Sequence, residues 1–226
     1  MCTHYTPTRS DKLAYLEATG KDLEEWHREA WPDYKAPIIR HGVNGTREAV
    51  LGNYGMVPKA KIPPGVKHYS TVNARAETIG ERRSYSKPWK EGKLCLVPME
   101  DFFEPCYESG KAVDWRIGLR DVAEFAVAGL YKEWPEDNGQ ISYSFTQITI
   151  NADEHPLMKR FHKPPDEKRS LVILRPEDWD DWLSCKNPEF ARTFLNLFPA
   201  ELMRSTPAPR PKKTKDVEDP QPDLLG

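Results

Sequence analysis

A chain of 226 residues suits one large domain or two small ones and can bury a sizeable core. Its formal net charge of −2 excludes the global basic field of a histone-like binder, so any nucleic-acid surface has to be local. Apolar residues at 38% and charged residues at 30% keep the composition globular, and with no apolar run of transmembrane length and no signal peptide the expected compartment is a reducing cytoplasm.

The chain opens Met1-Cys2. Cysteine is small, so the initiator methionine is normally trimmed and the mature chain would begin at Cys2. That terminus carries an α-amine and a thiol on adjacent carbons, with unperturbed pKa values of about 7.7–8.0 and about 8.5. Such a 1,2-aminothiol traps aldehydes: the amine forms an imine and the thiol closes a five-membered thiazolidine. A cysteine remains only a candidate nucleophile until partners are found. Cys2, Cys95, Cys106 and Cys185 show no CxxC pair and no metal-finger spacing, which argues against a zinc site.

Residues 11–31 read as an amphipathic helix capped by Ser10 or Asp11, with Leu13, Leu16, Leu23 and Trp26 as apolar contacts and Gly20 bending it. Short strands are expected at 36–39 and 49–51. The stretch 67–78 is poor in core residues and rich in hydrogen-bonding ones. Between residues 75 and 93 six basic residues face three acidic ones, with Tyr85 and Trp89 interleaved. Cations for phosphates and rings for bases suit a single-stranded nucleic acid, and the same composition also serves an ordinary charged loop.

A buried-type strand over 94–99 runs into Glu100-Asp101-Phe102-Phe103-Glu104-Pro105. A carboxylate held against aromatic rings has its pKa raised and acts as a general acid; an exposed turn with solvated acids is the alternative. Residues 113–119, 123–131 and 141–150 alternate apolar and polar, giving three antiparallel strands, with Asn138-Gly139 turning between the last two. A polar segment containing His155, Lys159, Arg160 and His162 precedes another buried strand at 171–174. Pro176 opens a short helix carrying Trp179, Trp182 and Leu183. Asn187 caps a second, whose Phe190, Phe194, Leu195 and Phe198 form an apolar stripe expected in the core. From Ser205 prolines alternate with charges, so a single domain over 2–204 is expected, followed by a disordered tail over 205–226.

Four separated motifs can be compared with a known pattern. They are Cys2 directly after the initiator; Asn73-Ala-Arg75-Ala-Glu77-Thr; Cys95-Leu-Val-Pro-Met-Glu-Asp-Phe-Phe-Glu104; and Thr149-Ile-Asn-Ala-Asp followed by His162 and Arg169-Ser-Leu-Val-Ile-Leu. Over roughly residues 2–200 the set resembles the SRAP family (SOS-response-associated peptidases, also called abasic-site processing proteins). The family's corresponding patterns are an initial C-G-R, N-A-R-x-E-T, a strand ending G-F/W-Y/F-E-W, and T-x-x-A-N with H-x-R-M-P-V-I-L. There are departures. Thr3-His4 replace G-R, Pro105 replaces a common tryptophan, and Ser170 stands where methionine is usual. An insertion, 163–168, separates His162 from Arg169, and no clear Tyr-Asn-x-Ala-Pro motif lies near Tyr34.

The resemblance implies an α+β, β-rich single domain whose curved, mainly antiparallel sheets form an open barrel with peripheral helices. It implies a groove for single-stranded DNA, a covalent crosslink to abasic sites through mature Cys2, and a peptidase activity, chiefly removal of Met1. On that reading Cys2, Asn73, Glu104 and His162 are catalytic. Arg75 grips a phosphate, and His4, Thr149, Arg169, Trp89 and Lys90 are further DNA contacts. No metal or organic cofactor is implied, and the place of work is the cytoplasm, at the nucleoid during DNA damage. Two other classes share these residues: an N-terminal-nucleophile hydrolase in which the amine of Cys2 acts as base, and a non-covalent single-strand binder. At the far end, Gln221-Pro222-Asp223-Leu224-Leu225 resembles the Q-x-x-L-[FL] motif that binds bacterial sliding clamps, with Gln221, Leu224 and Leu225 as contacts.

Overall fold

The computed structural model describes residues 2–20 and 23–210. Twelve strands are found there: β1 (Tyr5–Pro7), β2 (Ala18–Thr19), β3 (Lys35–His41), β4 (Arg47–Tyr54), β5 (Asn73–Arg75), β6 (Leu94–Cys106), β7 (Val113–Leu119), β8 (Phe125–Pro135), β9 (Ile141–Asn151), β10 (Arg169–Leu171), β11 (Ile173–Leu174) and β12 (Met203–Pro207). Four short helices accompany them: α1 (Ser10–Leu13), α2 (Ser86–Lys90), α3 (Trp179–Ser184) and α4 (Pro188–Arg192).

Alternation with a period of two sorts the apolar side chains into two cores. Ile38, Val97, Met99, Val127 and Phe145 pack with Cys2, Tyr5 and Tyr54. Their neighbours of opposite parity, Ile39, Leu96, Ala126, Ala128 and Leu130, pack with Trp179, Trp182 and Leu183 of α3. The first set fills a barrel. β3 pairs with β4, β4 with β9, β9 with β8, β8 with β6, and β6 returns to β3. Every ladder of this five-strand ring is antiparallel except β4–β9. The β-rich single domain expected from the sequence is therefore present, with the helices outside.

Two glycine-dependent contacts let the ring pack tightly. Gly129 lies opposite Cys95 on one side and Gln147 on the other. A Cβ there would stand 2.9 Å from the Cys95 sulfur and 2.9 Å from the Thr146 carbonyl, closer than van der Waals contact allows. Gly139 turns the β8–β9 hairpin at φ +78°, where a side chain is strained.

Two expectations are corrected. The helix over 11–31 does not form. α1 and one 3-10 turn end at Glu17, whose φ is +53°, and the chain passes into β2, which pairs in parallel with Arg47 and Glu48. Leu13, Leu16, Leu23 and Trp26 still pack together on the outer core. Their spacing was set by tertiary contact, and sheet pairing overrode the helical period. The ordered domain also runs past residue 204. β12 pairs with β7 as far as Pro207, and Arg210 forms an ion pair with Asp114.

α3 is the main buttress of the barrel's outer face. Trp182 is 0% exposed and its indole Nε1 donates to the Cys95 carbonyl at 2.9 Å. α4 is capped by Asn187, whose Oδ1 accepts from the Glu189 and Phe190 amides at 2.9 and 3.3 Å, but it lasts only five residues and leaves Phe190 53% exposed. Trp182→Ala is expected to cost about 3–5 kcal/mol, and Phe190→Ala under about 1 kcal/mol, read from urea unfolding midpoints. Equal shifts would mean that α3 does not belong to the barrel's cooperative unit.

Candidate active site

Cys2 enters the structure just ahead of β1, which zips antiparallel to β6, with Tyr5 opposite Phe102. This drives the N-terminal residue into the inner core, where it is buried. Two donors from different strands pin its carbonyl: Asn73 Nδ2 at 2.5 Å and the Tyr54 hydroxyl at 3.1 Å. Asn73 is delivered by β5, which lies parallel to β9 with Asn73 opposite Gln147. The Gln147 side-chain amide also lies 2.9 Å from the Tyr54 hydroxyl and shares its single proton with the Cys2 carbonyl.

The thiol of Cys2 donates to the His4 carbonyl at 3.3 Å. Burial pushes it up to about 12, and the neighbouring Glu104 carboxylate pushes the same way. At neutral pH this sulfur is a thiol. Glu104 lies on β6 opposite Trp115 of β7, and its Oε2 stands 3.0 Å from Nε2 of His162. Both residues are buried. His162 has φ +66°, uncommon for a non-glycine residue, and its amide donates to the Pro105 carbonyl at 2.9 Å. The Arg169 amide points at His162 Nδ1 at 3.4 Å. With Nδ1 turned to that amide, Nε2 is the ring nitrogen that faces the Glu104 carboxylate.

Two cavities open on this cluster. One, of about 470 Å³, includes Asn73, Arg75, Arg82 and Arg83 in its wall, and none of the described residues lining it is acidic. The other, of about 670 Å³, includes His162, Lys159 and Lys168. What the arrangement offers chemically is a buried thiol, a carboxylate facing an imidazole, and a cationic surface on the Asn73 side.

The family model described as SOS response associated peptidase (SRAP) matches residues 1–210. The chain belongs to the SRAP family. It is similar to the abasic site processing protein YobE of Bacillus subtilis, at 35% identity over 151 residues, covering 64% of this chain and 65% of that protein. The match thus spans just under two thirds of that relative's length. An abasic site processing protein of Saccharomyces cerevisiae is 32% identical over 141 residues, 61% of this chain and 35% of the yeast one. In three dimensions the chain is similar to a crystal structure of a protein from Bordetella bronchiseptica, with a TM-score of 0.80 and 31% identity over 92% of this chain and 99% of that one. A second crystal structure, from Bacteroides thetaiotaomicron, shares the fold at a TM-score of 0.71 and 23% identity, over 91% of each chain.

The structure brings Cys2, Asn73, Glu104 and His162 of this SRAP chain together. Most of the residues expected to touch DNA lie elsewhere. His4 is sandwiched between Trp31 and Phe103, with ring centroids 4.0 and 4.2 Å away, and its Nε2 bonds Glu29 at 2.9 Å. Burial lowers its pKa against the pull of Glu29. Thr149 is buried, its hydroxyl donating to the Ala74 carbonyl at 3.4 Å. Trp89 belongs to the outer core. Lys90 is exposed at the end of α2 but is not among the residues lining the Asn73 cavity. Arg75 does line it, with its side chain 46% exposed, and holds Glu167 of the inserted loop at 2.5 Å. Gln221, Leu224 and Leu225 lie outside the described residues. Sequence reading missed Tyr54, Gln147 and Glu167. The signal for Gln147 was a glutamine in phase with Tyr143 and Phe145 on the inward face of β9.

Arg169 is a structural pin and not a phosphate contact. It is 1% exposed and binds Glu77 at 2.9 and 2.8 Å, Glu167 at 2.8 Å and the Thr149 carbonyl at 2.7 Å. Burial alone would raise the Glu77 carboxylate, but the Arg169 hydrogen bonds outweigh it and hold Glu77 below its ordinary value. Asn151 and Arg169 do the same for Glu167. Their contribution to stability is therefore complete above the unfolded carboxylate value of about 4.3 and is lost as pH falls through the lower folded values. Arg169→Met is expected to lower the urea midpoint at pH 7 and to flatten its decline between pH 5 and pH 3. Parallel curves for variant and wild type would remove the pin from the acid limb.

Proposed function

We propose that this SRAP-family protein captures abasic sites in single-stranded DNA as a thiazolidine on Cys2, once Met1 has been removed. The observation that carries the reading is the convergence of Cys2, Asn73, Glu104 and His162 in one buried cluster, in a chain whose relatives are named abasic site processing proteins. An abasic sugar in its open form presents an aldehyde at C1′, the electrophile that a 1,2-aminothiol takes.

The raised thiol pKa favours an order in which the amine acts first. A cysteine hydrolase that began with thiolate attack would hold almost none of its nucleophile at neutral pH. The amine of mature Cys2 adds to C1′ to give a carbinolamine. Glu104 delivers a proton to the departing hydroxyl, and water leaves as the iminium forms. The sulfur then adds to the iminium carbon, and its proton returns to the Glu104 carboxylate. One C–N bond and one C–S bond form, and one water is released. Asn73 and Tyr54 hold the Cys2 carbonyl, which orients the reacting amine and thiol. His162 faces Glu104 and resets its proton; it also serves opening of the sugar ring.

The flanking phosphates belong on the cationic cavity lined by Arg75, Arg82 and Arg83; the His162 cavity sets Lys159, Arg160 and Lys168 against Glu108, Asp153 and Asp166. A phosphate that reaches Arg75 displaces Glu167. The adduct shields the lesion during replication or the SOS response, in the cytoplasm at the nucleoid; among the described residues no helix is long and apolar enough to cross a membrane. The Gln221-Pro222-Asp223-Leu224-Leu225 segment brings the domain to the replication clamp.

Denaturing electrophoresis with an abasic oligonucleotide tests the chemistry. Wild type should give a heat-stable shifted band, Cys2→Ala none, and Glu104→Gln a band that forms at least about tenfold more slowly. Crosslinking by Cys2→Ala to the wild-type extent would reject the assignment. The clamp contact is tested separately by titrating the clamp with a peptide of residues 215–226. Micromolar binding is expected, abolished by Gln221→Ala with Leu224→Ala, and no binding at several hundred micromolar would discard it.

A further inference from the structure

The insertion 163–168 carries an anion that the crosslinking chemistry does not use. We propose that Glu167 is a built-in competitor for the phosphate seat on Arg75, a specificity-determining residue that keeps reversible binding brief so that only a bonded strand is retained; the inference rests on the crosslinking reading above.

The seat is occupied by the protein itself. Glu167 Oε2 pairs with Arg75 Nη1, while its Oε1 accepts from Arg169 Nη1 at 2.8 Å and from Asn151 Nδ2 at 3.0 Å. Arg169 also binds Glu77, at 2.9 and 2.8 Å. Two guanidinium groups thus meet two carboxylates, and the group of four has no net charge. Asn151 and Arg169 hold Glu167 below its ordinary value, so it is an anion at neutral pH. Solvent still reaches the pair: the Arg75 side chain is 46% exposed and that of Glu167 31%.

The pair stands between the two cavities that open on the cluster. Arg75 lines the one that includes Asn73, and the neighbours of Glu167, Asp166 and Lys168, line the one that includes His162. A phosphate that approaches Asn73 meets an Arg75 already engaged. It takes the guanidinium only by exchange, so its gain is the difference between two charge-assisted contacts and not the whole of one. The displaced carboxylate does not leave. The Lys168 amide donates to Asp153 Oδ1 at 2.8 Å, the Lys168 carbonyl accepts from the Ala152 amide at 2.8 Å, and Oε1 of Glu167 keeps Arg169 and Asn151. Glu167 therefore competes from a tether, at an effective concentration in about the millimolar range.

The outcome is a difference in retention. A strand without a lesion is held by reversible contacts alone, and Glu167 shortens its stay. A strand whose abasic sugar has bonded to Cys2 is held covalently, and competition at Arg75 no longer decides whether it stays. Weakening the reversible step raises the contrast between the two, which is selectivity through an element set against the wrong ligand.

The test uses the full chain and an undamaged single-stranded oligonucleotide, with affinity read by fluorescence anisotropy and dissociation by stopped flow. Glu167→Gln keeps an oxygen for Arg169 and Asn151 and removes the charge from Arg75. It should bind the undamaged strand roughly fivefold more tightly, through slower dissociation. Asp166→Asn makes the same change in net charge at the adjoining exposed residue and should gain less than about twofold. In an Arg75→Met background, Glu167→Gln should gain no more than that control. Urea midpoints verify that each variant is folded. A gain that survives the loss of Arg75, an equal gain from Asp166→Asn, or no gain at all overturns the competitor. The full gain, with no heat-stable band from wild type on abasic DNA, would keep the competitor and remove the Cys2 chemistry; a band without the gain would do the reverse.

Discussion

Strand β6 holds the molecule together because it pairs with four others. It carries ladders to β1, β3, β7 and β8, and without its return to β3 the five-strand ring would be an open sheet. Thirteen residues make this reach possible. The first half of the strand closes the barrel through Leu94 to Met99, and the second half leans out to pair with β7 and delivers Glu104. The same strand supplies the ladder that draws Cys2 inward. One backbone element thus fixes both Cys2 and Glu104, and their relative placement is a matter of sheet register and not of loop conformation.

The chemistry depends on that rigidity in a particular way. A buried thiol beside a carboxylate is poor as a thiolate, and burial with Glu104 puts it there. A reaction in which the amine commits first and the sulfur closes second needs no thiolate in the resting state. It needs a proton held close by and handed over twice. The Glu104–His162 pair, 3.0 Å apart with His162 Nδ1 turned toward the Arg169 amide, stands where such a proton would be passed.

Much of this was legible in the residues. Strands at 113–119 and 141–150 fell where their alternation put them, because each has one face on a core. The four catalytic candidates met because their motifs lie on or beside strands of one barrel. The misses have physical causes. Leu13, Leu16, Leu23 and Trp26 have helical spacing, yet they reach one core from an irregular chain, and periodicity does not distinguish the two. Arg169 and His4 carry the charge and shape of phosphate ligands, but whether such a side chain faces solvent or its own protein depends on partners that are remote in sequence, Glu77 for one and Glu29 for the other. Glu167 was invisible for the same reason: an acid in an insertion says nothing about the arginine 92 residues upstream that it will hold.

The order in which the parts of the cluster occur along the chain has its own consequence. Cys2 is translated first, Asn73 and Glu104 follow, and His162 comes after nearly three quarters of the chain has been made. A nascent chain that has reached only β5 has none of the ladders that bury Cys2, since β6 is still unmade. Its thiol then has the ordinary value of about 8.5 and stands in solvent. In the completed fold the same group is shifted to about 12 and enclosed. In the nascent chain, then, nothing yet encloses the Cys2 side chain, and closure of the barrel is the event that buries it.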